Sequence, residues 1–324
     1  MIAPSIPLTA AHPLDLAIAW MSKRSKLFSP GWGDEALFEQ LSSPASYLGE
    51  TAAISVDWQG PRAHRELMCR DGTFGSPLEL LPDATRTVHV RAWSRPGNTM
   101  ACIMPAASRD EGFRAREHTF GGLTMRGTDL YLLENPFYGR RRITRDTSRI
   151  SVSDHGMMVL GMVLESRALL GYLRPRYQKL VVAGYSMAGH MAAITAAVTP
   201  FPVACAAMAT GASAGTVYTR GLLAWSVDLD TLSGAPHLRA AAQQRLCQLF
   251  EVAEITRYPA PLRVDAAVIA GCRRDGYVLR SETERLHLHW KGSVLRWIPA
   301  GHFSALMTCR RALCDCVTDA AGKL

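Results

Sequence analysis

KLVVAGYSMAGHMAAITAAV, residues 179–198, divides at Ser186. The part before the serine is a short, mostly apolar run of the kind that forms a buried strand. The part after it is a longer run of small residues, which suits a helix packed close to its neighbours. Between them, Gly184-Tyr185-Ser186-Met187-Ala188 nearly matches G-x-S-x-G, with Ala188 at the second glycine position and Gly189 just after it. The pattern alone is common. Its setting gives it weight, because a serine on a sharp strand-to-helix turn is displayed at the end of a sheet. Gly184, Ala188 and Gly189 let strand and helix approach while Ser186 takes a strained backbone. The helix N-terminus then aims unpaired N–H groups at developing negative charge, which makes the Met187 N–H a candidate oxyanion donor. The plain alternative is a glycine-containing turn with an incidental serine.

Further apolar runs lie on either side. TMACIM (99–104), DLYLLEN (129–135), VACAAMA (203–209), VDAAVIAG (264–271) and SVLRWIPA (293–300) read as strands. Between them lie an amphipathic helix expected over 153–173, a charged helix over about 280–290, and a last helix in FSALMTCRRALCDCV. Apolar strands alternating with helices predict an α/β fold, a mostly parallel central sheet with helices on both faces. Residues 61–95, with the alternation TVHVRAW (87–93) and the turn DGTFGSP (71–77), predict antiparallel strands. Residues 1–60 read as a helical extension packed on a domain of residues 61–324. The helical stretch of about 210–262 breaks the rhythm and is expected to be a cap shaping a substrate pocket.

A serine hydroxyl needs a base, and the base needs an acid to orient it. Both belong after later strands, in the order serine, acid, histidine. Asp275 is the one acid in the loop after VDAAVIAG, and Asp265 sits at the wrong end of that strand. His302 follows the last strand. His190 follows the serine on its own helix, and His155, His287 and His289 lie on other helices. The second oxyanion N–H belongs to the loop Pro105-Ala106-Ala107-Ser108-Arg109-Asp110. Ala107 is the choice there, with Ala106 and Ser108 as alternatives. Arg109 reads either as a contact for an anionic substrate group or as a plain surface arginine.

The totals narrow the classes. A net charge of +8 and a pI of about 9.2 come without a nucleic-acid-binding motif, so no nucleic-acid partner is expected. The tight cluster Arg140, Arg141, Arg142, with Arg145 and Arg149 behind it, suggests either a solvated basic surface or peripheral contact with an anionic membrane. Eight cysteines, several within apolar runs, read as reduced core residues in a cytoplasmic protein, and the closing CRRALCDC matches no common zinc spacing. No metal or organic cofactor is expected. The stretch from Leu14 to Met21, with Lys23, Arg24 and Lys26 after it, reads as a helix packed on the domain or one lying at an interface. No run is long enough to predict a membrane span.

Several stretches together carry a more specific likeness: SKLFSPGWG (25–33), LLENPFYGRRR (132–142), VLESRALLGYL (163–173), GYSMAGHMA (184–192), TRGLLAW (219–225), RDGYV (274–278) and AGHFSAL (300–306). In this order they resemble the abhydrolase-domain-containing 18 family of α/β hydrolases. The resemblance implies an α/β-hydrolase fold and places Ser186, Asp275 and His302 at the family's triad positions. It aligns Ala106-Ala107-Ser108-Arg109-Asp110 with a pattern close to Ala-Gly-Thr-Gly-Asp, so two glycines are replaced. The Glu134-to-Gly139 loop keeps the family's look and reads either as a structural turn or as a wall of the pocket; on the second reading Asn135 and Tyr138, with Tyr185 beside the serine, are candidate substrate contacts. The expected activity is hydrolysis of an ester or thioester, with a small-molecule or lipid acyl group as substrate. Acyl transfer to an alcohol through the same residues, or a non-catalytic scaffold binding lipid or protein, are the competing readings.

Overall fold

The computed structural model describes residues 9–41, 43–143, 149–251 and 253–324. Among the described residues ten strands form one sheet: β1 (Asp57–Trp58), β2 (Arg62–His64), β3 (Leu67–Gly75), β4 (Thr87–Ser94), β5 (Met100–Met104), β6 (Thr128–Leu133), β7 (Lys179–Tyr185), β8 (Ala204–Met208), β9 (Ala267–Cys272) and β10 (Val294–Ile298). They lie in the order β1-β3-β4-β6-β5-β7-β8-β9-β10, with β2 paired to β3. Strands β1 to β4 pair antiparallel, and β4 joins β6 antiparallel. From β6 through β10 every pairing is parallel. This is the mostly parallel α/β-hydrolase sheet expected from the sequence. One boundary moves: Asp57 and Trp58, counted with the helical extension, pair with Thr73 and Gly72 and so belong to the sheet.

The pleat explains why the central strands lack polar alternation. Successive side chains point to opposite faces, and both faces are covered. Ile103, Val182, Cys205 and Ile269 enter one core, with the helices Val152–Leu173 and Met187–Val198. Cys102, Val181, Ala206 and Val268 enter the other, with the helix Arg310–Gly322. Cys102, Cys205, Cys314 and Cys316 are buried free thiols, as small apolar residues would be.

The helix Val152–Leu173 is not amphipathic, contrary to expectation. It is buried nearly all round, because its charged Glu165 and Arg167 are paired inside the protein rather than turned to water. Glu165 pairs with Arg141, and Arg167 donates to the carbonyls of Tyr47 and Gly49. Residues 152–176 are long and apolar enough to cross a bilayer, but most of that surface is covered by the rest of the fold. The final helix is also broken in two, His302–Thr308 and Arg310–Gly322, at Cys309, whose backbone leaves the helical region at ψ 24°.

The arginine cluster divides as well. Arg141 is fully buried and holds Glu165 through two hydrogen bonds, so it faces no membrane. Arg140 and Arg142 are exposed, and Arg145 lies outside the described residues.

Strand order places the site. After β5 the chain goes to β6 on one side, and after β7 it goes to β8 on the other. The loops leaving the carboxyl ends of β5 and β7 therefore diverge, and a crevice opens between them. Ser186 directly follows β7, and the Pro105–Asp110 loop directly follows β5.

Candidate active site

Ser186 sits at φ 59° and ψ −125°, the left-handed backbone that a tight strand-to-helix turn imposes. Its N–H donates to the Met208 carbonyl at 2.8 Å, and its carbonyl accepts from the His190 N–H at 3.1 Å. Both flanking glycines are needed for space. A Cβ on Gly184 would lie 2.1 Å from the Ala188 carbonyl oxygen, and one on Gly189 would lie 2.6 Å from that of Met208. Backbone fills those positions, so no side chain could move aside.

Three side chains from three strand ends meet here. His302, at the start of the helix after β10, places Nε2 2.9 Å from Ser186 Oγ. Its Nδ1 stands 2.8 Å from Asp275 Oδ2. The other Asp275 oxygen accepts from the N–H groups of Tyr277 and Val278 at 2.8 and 2.9 Å, which fixes the carboxylate. The rings of Tyr185 and Tyr277 flank the imidazole at 5.4 and 5.0 Å. Burial opposes charging of the imidazole, but the Asp275 charge and hydrogen bond, and then Asp15, outweigh it. The His302 pKa is therefore raised above the ordinary imidazole value.

The loop after β5 is built by side chains. Asn135 pairs with Ala106 at two points, accepting its N–H at 3.0 Å and donating to its carbonyl at 2.8 Å. Tyr138 Oη accepts the Arg109 N–H at 3.2 Å. Arg116, buried, donates to the carbonyls of Met104, Leu133 and Gly112 and pairs with Asp110. This removes Ala106 as an oxyanion donor, because its N–H is already taken. Among the described residues, the N–H groups of Ala107, Ser108 and Met187 have no acceptor. Arg109 stands at φ 63°, a left-handed backbone that favours glycine. A left-handed side-chain-bearing residue costs about 1 kcal/mol, and the bond to Tyr138 helps to hold it.

Two cavities meet at Ser186. The inner one is lined by buried, mostly apolar residues, among them Phe38, Val159, Met191, Tyr218 and Phe250. Val217 and Phe250, from the helical stretch between β8 and β9, help to form its wall. His155 also lines it, and burial with the neighbouring His190 lowers its pKa to about 4, so it is a neutral ring. The outer cavity is lined by Ile18, Ala107, Arg109, Tyr277, His302 and Phe303, several of them partly exposed.

Of the candidate substrate contacts, Arg109 and Tyr185 border the outer cavity. The Tyr185 hydroxyl is engaged by the His302 carbonyl. Asn135 borders neither cavity and holds Ala106 instead. Tyr138 stands behind the loop, in a small recess with Ser108 and Arg109. His190 turns away from Ser186, its ring nitrogens 3.3 Å from the carbonyls of Gly211 and Ala253. Among the described residues no three His, Cys, Asp or Glu side chains group as metal ligands. Sequence reasoning missed Asp15. In the chain it reads as a polar interruption of an apolar helix, and nothing there signals that it reaches residues 276 and 302.

Known structures share this architecture. Acetyl xylan esterase from Paenibacillus sp. R4 superposes with a TM-score of 0.56 at 13% identity, covering 95% of this chain and 99% of that one. Acetyl xylan esterase 1 from Thermoanaerobacterium sp. JW/SL YS485 gives 0.55 at 12%, covering 94% and 99%. The cell-wall-degrading esterase LipA from Xanthomonas oryzae gives 0.53 at 9%, covering 84% and 100%. At such identities the likeness is one of fold. The family described as alpha/beta hydrolase domain containing 18 matches residues 25–239 and 235–323. That match spans nearly the whole chain, which therefore belongs to the alpha/beta hydrolase domain containing 18 family.

Proposed function

We propose that this protein is a serine hydrolase that cleaves a carboxylic ester or thioester through an acyl-enzyme. The observation that carries the reading is the unbroken hydrogen-bonded chain from Ser186 through His302 to Asp275. His302 Nε2 takes the Ser186 proton as Oγ attacks the carbonyl carbon. Asp275 keeps the Nδ1–H tautomer and stabilises the imidazolium that forms. The N–H groups of Met187 and Ala107, or Ser108, receive the oxyanion. His302 returns the proton to the leaving alcohol or thiol, then activates water to release the acid.

The cavities suggest how the substrate lies. The inner, apolar one suits the acyl chain, and the outer one suits the leaving group, with Arg109 at its wall. An acyl lipid fits this division. Each methylene buried in the inner cavity is worth roughly 0.8 kcal/mol. In a series of p-nitrophenyl esters, kcat/KM should rise about tenfold from acetyl to butyryl, then fall once the chain outgrows the pocket. If no member of the series is cleaved above the Ser186→Ala background, the reading is wrong.

The base must be neutral to act. Activity therefore rises with pH through the His302 pKa, and the raised value puts the midpoint of the acid limb of kcat/KM above the ordinary imidazole range. A profile flat down to about pH 5 would show that this imidazole is not the base.

A further inference from the structure

We infer that Asp15 is a positioning residue, its carboxylate set between the loop that carries Asp275 and the loop that carries His302 so that both keep their register. The inference rests on the reading of Ser186, His302 and Asp275 as the catalytic set.

Asp15 belongs to the N-terminal helix Pro13–Ser22 and is fully buried. Oδ2 accepts from the N–H of Gly276 at 3.0 Å and from the N–H of His302 at 2.8 Å. Oδ1 accepts from the N–H of Phe303 at 3.0 Å. The donors are thus the residue after the acid, the base itself, and the residue after the base. His302 and Phe303 open the helix His302–Thr308, so their N–H groups have no partner within it. A carboxylate buried without donors is strongly destabilised. Here three donors satisfy it, and all three belong to the two segments that must hold the acid against the base.

The surrounding chain is shaped for this contact. The His12 N–H donates to the Arg274 carbonyl at 2.9 Å, and the Arg274 guanidinium returns a bond to the Ala11 carbonyl at 3.3 Å. Gly301 has an ordinary φ of −88°, which any residue could adopt. A Cβ there would nonetheless lie 2.3 Å from His12 Cβ and 2.9 Å from Asp15 Oδ2. Glycine is required at 301 so that the N-terminal segment can come this close. The helix also supplies Ile18 and Ser22 to the outer cavity, so one element both holds the loops and borders the pocket.

Asp15 also acts on His302 by charge, after Asp275, and raises its pKa. Among the described residues, the phenols of Tyr185 and Tyr277 flank the imidazole, and Arg109, Asp110 and Arg116 line the outer cavity that it borders. Removing one negative charge from this set lowers the His302 pKa, so the acid limb of activity moves to lower pH.

The test compares full-length wild type, Asp15→Asn and Gly301→Ala. Two quantities are read against pH: the rate at which a fluorophosphonate labels Ser186, and the titration of the His302 imidazole by NMR. Thermal melting shows that each variant is folded. Asp15→Asn keeps the size, removes the charge and turns one acceptor into a donor. It should label on the order of 100-fold more slowly, the loss that about 1 Å of misplacement brings, and its His302 midpoint should move down. Gly301→Ala leaves every charge in place, and it should also label more slowly. A folded Asp15→Asn protein with the wild-type rate and midpoint overturns the inference. If that variant does not fold, Gly301→Ala decides, and a wild-type labelling rate there overturns it. The NMR midpoint separates the two levels of argument. If wild type does not label but the midpoint moves in Asp15→Asn, the reading of Ser186 fails while Asp15 keeps its hold on His302. If wild type labels and Asp15→Asn labels equally fast with its midpoint unmoved, it is the role of Asp15 that fails.

Discussion

Replacing Ser186 by alanine is expected to lower ester turnover by about 10⁴-fold or more, and replacing His302 by alanine to cost about as much. The two effects do not add. Without Oγ there is nothing for the imidazole to activate, and without the imidazole Oγ stays protonated. The double variant should therefore match either single one within a few-fold. Asp275→Asn is the informative companion. Asp275 Oδ2 stands 2.8 Å from His302 Nδ1, and Oδ1 already accepts from the Tyr277 and Val278 N–H groups. An asparagine keeping its oxygen on those two donors must turn its NH₂ toward Nδ1. The imidazole then carries its proton on Nε2, facing Ser186, where it cannot take another. A drop of about 10⁴ with little change in melting temperature is expected. Steady-state kinetics on a soluble ester checks all four proteins, and near-wild-type turnover by any of them would contradict the mechanism.

The second large effect is on stability. Arg141 and Glu165 are both fully buried and joined by two hydrogen bonds of 2.8 and 2.6 Å. Arg141 also donates to the carbonyls of Glu134 and Thr85 at 2.7 and 2.8 Å, and Glu165 accepts from the Ser76 hydroxyl at 2.7 Å. Arg141→Met leaves the Glu165 charge with one donor and two carbonyls with none. Breaking a buried pair in this way costs about 3–5 kcal/mol. Replacing both partners by apolar residues should recover part of that loss, because neither charge is then left unpaired. Denaturant midpoints at constant m read the difference, and a loss below about 1 kcal/mol would show that Arg141 is not a pin of the fold. The damage should extend to the site. Glu134, whose carbonyl Arg141 holds, precedes Asn135, whose carboxamide holds Ala106 in the loop beside Ser186.

Arg141 also marks how far the sequence could be read. Five arginines within ten positions look like a surface patch, because sequence proximity says nothing about which guanidinium finds a buried carboxylate twenty-four residues later. The helix Val152–Leu173 misleads in the same way. Its Glu165 and Arg167 suggest a wet face, yet both are paired within the protein. What was legible is what local pattern controls. Short apolar runs became the parallel strands, and the small residues around Ser186 became a tight turn with backbone against Gly184 and Gly189. The loops after β9 and β10 carry Asp275 and His302 because strand ends are where a parallel sheet gathers its loops. Contacts between distant segments left no local trace. Asp15 lies more than 250 positions from the N–H groups it accepts, and Asn135 twenty-nine from the alanine it pairs with. Asparagine in a loop at a strand end reads equally well as a substrate contact or as a loop clamp, and only the fold separates the two.

Covalent labelling tests most directly whether Ser186 is a working nucleophile. Wild type, Ser186→Ala and His302→Ala should be treated with a fluorophosphonate probe, with and without detergent or lipid, and the adduct located by mass spectrometry. Stoichiometric modification of Ser186 is expected in the wild type, and none at that position in either variant. A folded wild type that stays unmodified under every condition, or an adduct on another residue, would contradict it.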